Sequence, residues 1–390
     1  MEGSDVLEAS LAPTTTVQKF QRSEDFSGQY RTGVSLHSHT MHSREYLGRL
    51  PGYIAKIPIA SYILEREVGR LHLYAGRVFN FKEFYWTPPL SAREAYELES
   101  GQISGQLGLR ALVSLTDHDN VEAGLHLRML EGTAEAPVSV EWSVPCEGTV
   151  FHIGVHNLPA QRAKAWMEEF ARFTRQPNGK RLREIFGELN ADSGVLLVLN
   201  HPFWDADGSV TAEKHEAALM SFLGKWGKRM HALELNGMRS RKENEEVLQL
   251  GEAVKLPVIS GGDRHGCEPN ATLNVTMAES FAEFVEEVRV ERRSEMVLMP
   301  QYFEPLRMRL LENAWHAMSD APGEFGRRDW MTRVFAPDEQ GESRPLSDFA
   351  GTRFQRVVEP LRWIMSLLVS PQMRPAMRMT FLGNREGGSL

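Results

Sequence analysis

From about Gly33 to Pro300 the sequence alternates short apolar runs with helix-like stretches, and residues that can bind metal sit at or near the ends of the runs. That alternation predicts repeated β/α units. Strands are expected at Gly33–Leu36, Leu112–Leu115, Val138–Val140, Val150–Val155, Val195–Leu199, Leu233–Leu235 and Pro257–Ser260, with a last one at Met296–Leu298. Helices are expected at Ala92–Leu107, Ala160–Phe173, Lys180–Leu189, Thr211–Phe222, Glu243–Val254 and Ser280–Arg292, with Ser91 and Ser280 as N-caps. A chain of 390 residues suits one α/β barrel of typical size plus extensions.

Three regions stand outside the repeat. Residues 1–30 are polar and lack the apolar core of a signal peptide, so a flexible arm is expected there. Residues 44–89 form an aromatic-rich insertion after the first strand, to be read as a lid over a site or as a satellite apolar cluster. Residues 301–390 are expected to be a helical extension, in which Leu361–Val369 is too short and too interrupted by Arg362 to span a bilayer. The two cysteines, Cys146 and Cys267, suggest a reducing cytoplasm rather than a disulfide framework. Lys plus Arg number 44 against 52 Asp plus Glu, a net charge of −8, which lacks the basic field of a typical nucleic-acid binder. The short basic runs Lys180–Arg183 and Arg239–Lys242 are expected to be solvated surface.

The chemistry follows from where the histidines fall. His37 and His39 form H-x-H directly after a strand, and alternation along an extended chain puts both rings on one face. His118 lies in Asp117–Asp119 after the next strand. Glu141 follows a third, His152 lies in a fourth and His201 ends a fifth. Asp263 and His265 close the set as D-x-H behind Gly261–Gly262. Such a crowd of imidazoles and carboxylates is costly to bury unless cations organise it, so metal binding is expected. Glu234 and Asn236 at a strand end are expected either to orient a ligand or substrate, or simply to turn the chain. Asp117 and Asp119 are expected to hydrogen-bond ring nitrogens, and His156 to be structural.

In their order, His37-Ser38-His39-Thr40, Thr116-Asp117-His118-Asp119, Glu141, His152, Asn200-His201-Pro202 and Asp263-Arg264-His265 resemble the polymerase and histidinol phosphatase (PHP) superfamily from Gly33 to about Thr276. The resemblance implies a distorted (β/α)7 TIM-like barrel holding two or three divalent ions, commonly manganese, zinc or iron. It places His37, His39, Glu141 and Asp263 around a first ion. Glu141 bridges to a second ion with His152 and His201, and His118 and His265 serve a third. One position departs from the pattern: Arg44 stands where the family usually has a ligand Asp. Glu45 or His42 substitutes as the ligand, or the third site is absent, or Arg44 meets substrate phosphate with its planar fork. The adopted expectation is a two-metal centre with Arg44 and Arg264 toward substrate, and with Glu141 and His265 as the catalytic residues. The expected activity is phosphoester hydrolysis of a small phosphorylated molecule or nucleotide. The alternatives are a nuclease acting on DNA or RNA ends and a non-catalytic metal-binding interaction module.

Overall fold

A computed structural model describes residues 12–48, 66, 80–205, 208, 210–321, 328–348 and 352–382. In chain order the strands are β1 (Thr14–Lys19), β2 (Thr32–Leu36), β3 (Glu45–Tyr46), β4 (Tyr85–Trp86), β5 (Arg110–Ser114), β6 (Val138–Cys146) and β7 (Thr149–Leu158). They continue as β8 (Leu196–Leu199), β9 (Ala232–Asn236), β10 (Val258–Gly261), β11 (Thr272–Thr276), β12 (Arg293–Leu298), β13 (Val334–Pro337) and β14 (Ser343–Pro345). The helices are α1 (Ala92–Gln102), α2 (Glu122–Leu127), α3 (Ala163–Arg175), α4 (Gly179–Ala191) and α5 (Ala212–Trp226). After them come α6 (Arg241–Val254), α7 (Phe281–Glu286), α8 (Leu306–Met318), α9 (Thr352–Leu368) and α10 (Arg374–Leu382). Ser91 and Ser280 cap α1 and α7 as their sequences predict.

Two five-stranded sheets, ordered β1-β12-β11-β2-β5 and β10-β9-β8-β7-β6, form the centre of a mixed α/β architecture. Strands β2, β8 and β9 are buried along their whole length, which is why they read as short apolar runs. The sheets meet at two seams. At one, His118 bridges Glu141; at the other, Ser38 bridges Arg264, while the Asp263 amide donates to the His37 carbonyl at 2.6 Å. Among the described residues these contacts stay isolated and no closed barrel is found.

The β/α alternation fails between β6 and β7. Only Glu147 and Gly148 connect them, at φ 55° and 83°, which is the geometry of a tight two-residue hairpin. The strands are therefore antiparallel, and β6 runs on past Val140 so that Glu141 lies inside it. Alternation along β6 then sends Glu141 to the site and Trp142 outward. There Trp142 stacks on Phe170 of α3, with ring centroids 4.2 Å apart, and meets Phe186 of α4. Burying these rings anchors the strand that carries the central carboxylate.

Three expectations about the flanking regions change. Residues 14–19 are no flexible arm: β1 pairs in parallel with β12, and Phe26 is buried against Ile103 and Leu273 in one apolar cluster. Most of the 44–89 insertion lies outside the described residues, but its ends supply β3 and β4. The region after residue 300 is not only helical, because β13 and β14 join β4 and β3 in a third sheet, ordered β14-β13-β4-β3.

Candidate metal centre

All eight expected ligands converge at the two seams. The Glu141 carboxylate divides them. Its Oε2 lies 3.1 Å from His37 Nε2, 3.4 Å from His39 Nε2 and 3.2 Å from His118 Nδ1. Its Oε1 lies 3.1 Å from both His152 Nδ1 and His201 Nε2, which are themselves 3.3 Å apart. Asp263 Oδ1 completes the first side, at 3.6 Å from His37 Nε2 and 3.4 Å from His39 Nε2.

His37 Nε2, His39 Nε2 and Glu141 Oε2 are buried and make no hydrogen bond. Orphaned polar atoms of this kind are expensive unless something satisfies them. Their spacing matches the edge of a tetrahedron of metal–ligand bonds, about 3.4 Å for bonds near 2.1 Å. The donor set thus fits a divalent cation, and the His37, His39 and Asp263 group and the His37, Glu141 and His201 group are each close enough to share one.

The sheets also orient these ligands. His37 Nδ1–H donates to Glu234 Oε1 at 2.5 Å, which leaves the Nε2 lone pair facing Glu141. Glu234 Oε2 accepts from the His201 amide and from Asn236 Nδ2, and Asn236 also reaches Asp263 Oδ2 at 3.2 Å. Asn200 Nδ2 donates to Glu141 Oε1 at 3.0 Å. Of the two readings for Glu234 and Asn236, orientation of ligands is therefore the one the geometry carries. Gly261 makes it possible, since a Cβ there would stand 1.7 Å from Glu234 Oε1. Three expected ligands also hold positive φ: His37 at 61°, His201 at 27° and Asp263 at 55°. Left-handed backbone at non-glycine residues is costly and concentrates where function demands it.

Charge in the cluster is mutual. Burial lowers the His37 imidazole, but Glu141, Glu234 and Asp263 outweigh it and raise the ring well above its ordinary value. Burial, with His265 and His118 nearby, pushes His39 down to about 3. Burial raises Glu141, yet His37, His118 and His152 hold it well below the usual carboxylate range.

A third group answers the departure at Arg44. Glu45 Oε2 lies 3.1 Å from His265 Nε2 and 3.4 Å from His118 Nε2, and His39 completes the cluster. Ser43 Oγ donates to Glu45 at 2.6 Å, and His265 Nδ1–H donates to the Asp263 carbonyl at 2.8 Å, so His265 Nε2 is free to face Glu45. Both flanking arginines depart from expectation. Arg44 is exposed, its guanidinium 5.2 Å above the Tyr85 ring, because β3 alternation turns Glu45 inward instead. Arg264 is buried in an ion pair with Glu99 Oε1 at 2.7 Å, since alternation puts it on the face opposite Asp263 and His265.

Other residues also settle. Asp117 accepts from the Thr40 amide at 2.5 Å and hydroxyl at 2.7 Å, so it ties down the H-x-H-T loop rather than a ring nitrogen; burial pushes it up to about 7. Asp119 likewise accepts from the Ser143 amide. His156 is buried against Ser114 and outside the metal groups, a structural residue as expected. Arg239, expected as surface, lies over the Trp204 ring at 3.9 Å with Nη2 3.4 Å from Asp263 Oδ2. Arg309 of α8 donates to the Gly237 carbonyl in the loop that carries it. The sequence signal for this placement is that Arg239 stands three residues after the strand-end Asn236.

No family model matches this chain, and no curated protein does. Among solved structures, PsfC from Pseudomonas syringae PB-5123 is similar at 12% identity and a TM-score of 0.42, covering 74% of this chain and 98% of that one. An amidohydrolase from Chromobacterium violaceum, with bound sulfate and no metal, is similar at 14% identity and a TM-score of 0.35, covering 51% of this chain and 92% of its own. A protein from Bifidobacterium adolescentis, provisionally described as a metal-dependent phosphoesterase, gives 14% identity and a TM-score of 0.30, covering 53% and 92%. Likeness at these TM-scores carries neither fold nor activity to this chain.

Proposed function

We propose that the protein is a metal-dependent hydrolase of PHP type, whose finer activity is phosphoester hydrolysis on a small phosphorylated molecule. The observation that carries this reading is Glu141, a buried carboxylate whose two oxygens each face a separate set of imidazoles. His37, His39, Asp263 and Glu141 would hold one divalent cation, and Glu141, His152 and His201 a second. When bound, such ions supply hydroxide near neutral pH and stabilise charge developing on a phosphoryl oxygen.

The chain's own residues do the rest. Glu234 holds the proton of His37 at Nδ1, and the Asp263 carbonyl holds that of His265 at Nδ1. Both rings therefore present Nε2 to the centre. Arg239 takes the substrate-facing role expected of Arg44 and Arg264. Its planar fork is pre-ordered on Trp204 beside Asp263, where it suits a phosphate oxygen pair.

Elemental analysis of the purified protein, paired with a phosphatase panel on wild type and Glu141→Ala, tests the reading. Two or more equivalents of metal are expected, with turnover lost by at least about a thousandfold in the variant. A wild-type protein that stays metal-free and inactive after reloading with manganese, zinc and iron would overturn it.

A further inference from the structure

The third cluster differs from the other two in where its ligands are anchored. Glu45 sits on β3, and β3 belongs to the β14-β13-β4-β3 sheet. One rung of that sheet aligns Glu45 with Trp86 and Trp86 with Val334. On the next rung Tyr85 stacks on Phe335, with ring centroids 4.9 Å apart and planes 7° from parallel. Arg333, just before β13, is buried and donates to the Thr87 carbonyl beyond β4. Its Nη2 also donates to the carbonyls of His316, Ala317 and Ser319 at the end of α8. One buried guanidinium thus clamps the end of β4 to the C-terminal region, and β3, which carries Glu45, is held there through its pairing with β4.

His265 is anchored in the same region. Two residues beyond it, the Cys267 amide donates to His316 Nδ1 at 3.2 Å. Between them Gly266 presses against α8, where a Cβ would stand 2.5 Å from both Asn313 Oδ1 and His316 Nδ1. Trp86 closes the gap between the two anchors, its ring centroid 6.3 Å from that of His265.

We infer that residues 306–321 and 328–345 act as a built-in control on the third cation position, with Arg333 and His316 as positioning residues for Glu45 and His265. This rests on reading Glu45, His118 and His265 as cation ligands. The Glu141 pair of sites is held instead by Glu234 and Asn236 on β9 and by Asn200 directly after β8, all in or beside the central sheets. Loosening the C-terminal region should therefore empty one position and spare two.

The test is manganese stoichiometry and titration on the full chain, comparing wild type with Glu45→Gln, Arg333→Ala and His316→Ala. Wild type is expected to bind three equivalents and Glu45→Gln two. In Arg333→Ala and His316→Ala the dissociation constant of the weakest equivalent should rise about tenfold or more, with the other two nearly unchanged. Should Arg333→Ala fail to fold, Phe335→Leu decides by the same readout. Retention of three equivalents at wild-type affinity in the positioning variants overturns the inference and leaves the proposed function standing. Two equivalents in wild type, indifferent to Glu45→Gln, overturn it likewise. A wild type that binds no cation overturns both.

Discussion

The Glu141 sites and the Glu45 group share His39 and His118, yet their supports differ in kind. Around Glu141 the ligands are braced by buried side chains on neighbouring strands, and Glu234 alone contacts His37 and the His201 backbone. Around Glu45 the braces are a two-residue strand, a partly exposed His265 and contacts from the C-terminal region, Arg333 to the Thr87 carbonyl and the Cys267 amide to His316. A carboxylate inside a sheet is placed by the core that folds the protein. One on an accessory strand is placed by docking, which costs less free energy to undo. The difference predicts a tight pair of cation positions and a separable third.

The largest break in that contrast should come from Glu234→Ala. It removes the partner of His37 Nδ1 and leaves the ring free to flip. Affinity at the Glu141 sites should fall about 10- to 100-fold, while Glu234→Gln, which can still accept, loses less. Equal loss in both variants, measured by metal titration, would show that the carboxylate acts by charge rather than by orientation.

Gly261→Ala should break the same side through packing. The added methyl must displace the Glu234 carboxylate, costing about 1–3 kcal/mol of stability in addition to metal affinity. Denaturant unfolding of the metal-free protein separates the two effects. An unchanged midpoint would mean that Glu234 can move aside at no cost.

Arg239→Ala should leave both cation classes in place and raise KM for a phosphorylated substrate about tenfold, with kcat less affected. A drop in metal content instead would make Arg239 a support for Asp263 rather than a substrate contact.

The smallest effect sharpens the contrast by pH. Burial lowers His118, but Glu45 and Glu141 beside it raise it to about 10 in the metal-free cluster. The ring therefore carries a proton at neutral pH that a cation must displace, so metal affinity should rise with pH below that value. Each proton released contributes up to about tenfold per pH unit. Titrations at several pH values on wild type and Glu45→Gln check this, and the variant, lacking one raising carboxylate, should show a shallower slope. A pH-independent affinity in wild type would refute the assignment.

Much of this site was legible as local pattern. H-x-H after β2, D-x-H after β10, Glu141 and His201 stand on or directly after strands that recur as apolar runs, although the left-handed backbone at His37, His201 and Asp263 is set by the tertiary structure. Local periodicity says which face a side chain takes and nothing about which strands become neighbours. That is why Val138–Val140 and Val150–Val155 read as two separate short strands, although the Glu147-Gly148 link joins them as one hairpin. Nor does the buried strand β11 carry an apolar run: Thr272, Asn274 and Thr276 along it are satisfied by side chains and carbonyls of neighbouring elements, and the strand pairs with β2, far away in the chain.

Sequence by itself determined the inventory: a cluster of imidazoles and carboxylates too crowded to bury without cations, on an α/β scaffold. Only tertiary structure decided the assignments at its edge. Arg44 and Glu45 are adjacent, so one must face in and the other out, and the choice belongs to β4 and β13. Arg264 pairs with Glu99, 165 positions away, while Arg239 emerges beside Asp263. Pairings between distant segments are set by the free energy of docking whole elements, which no local window of sequence contains.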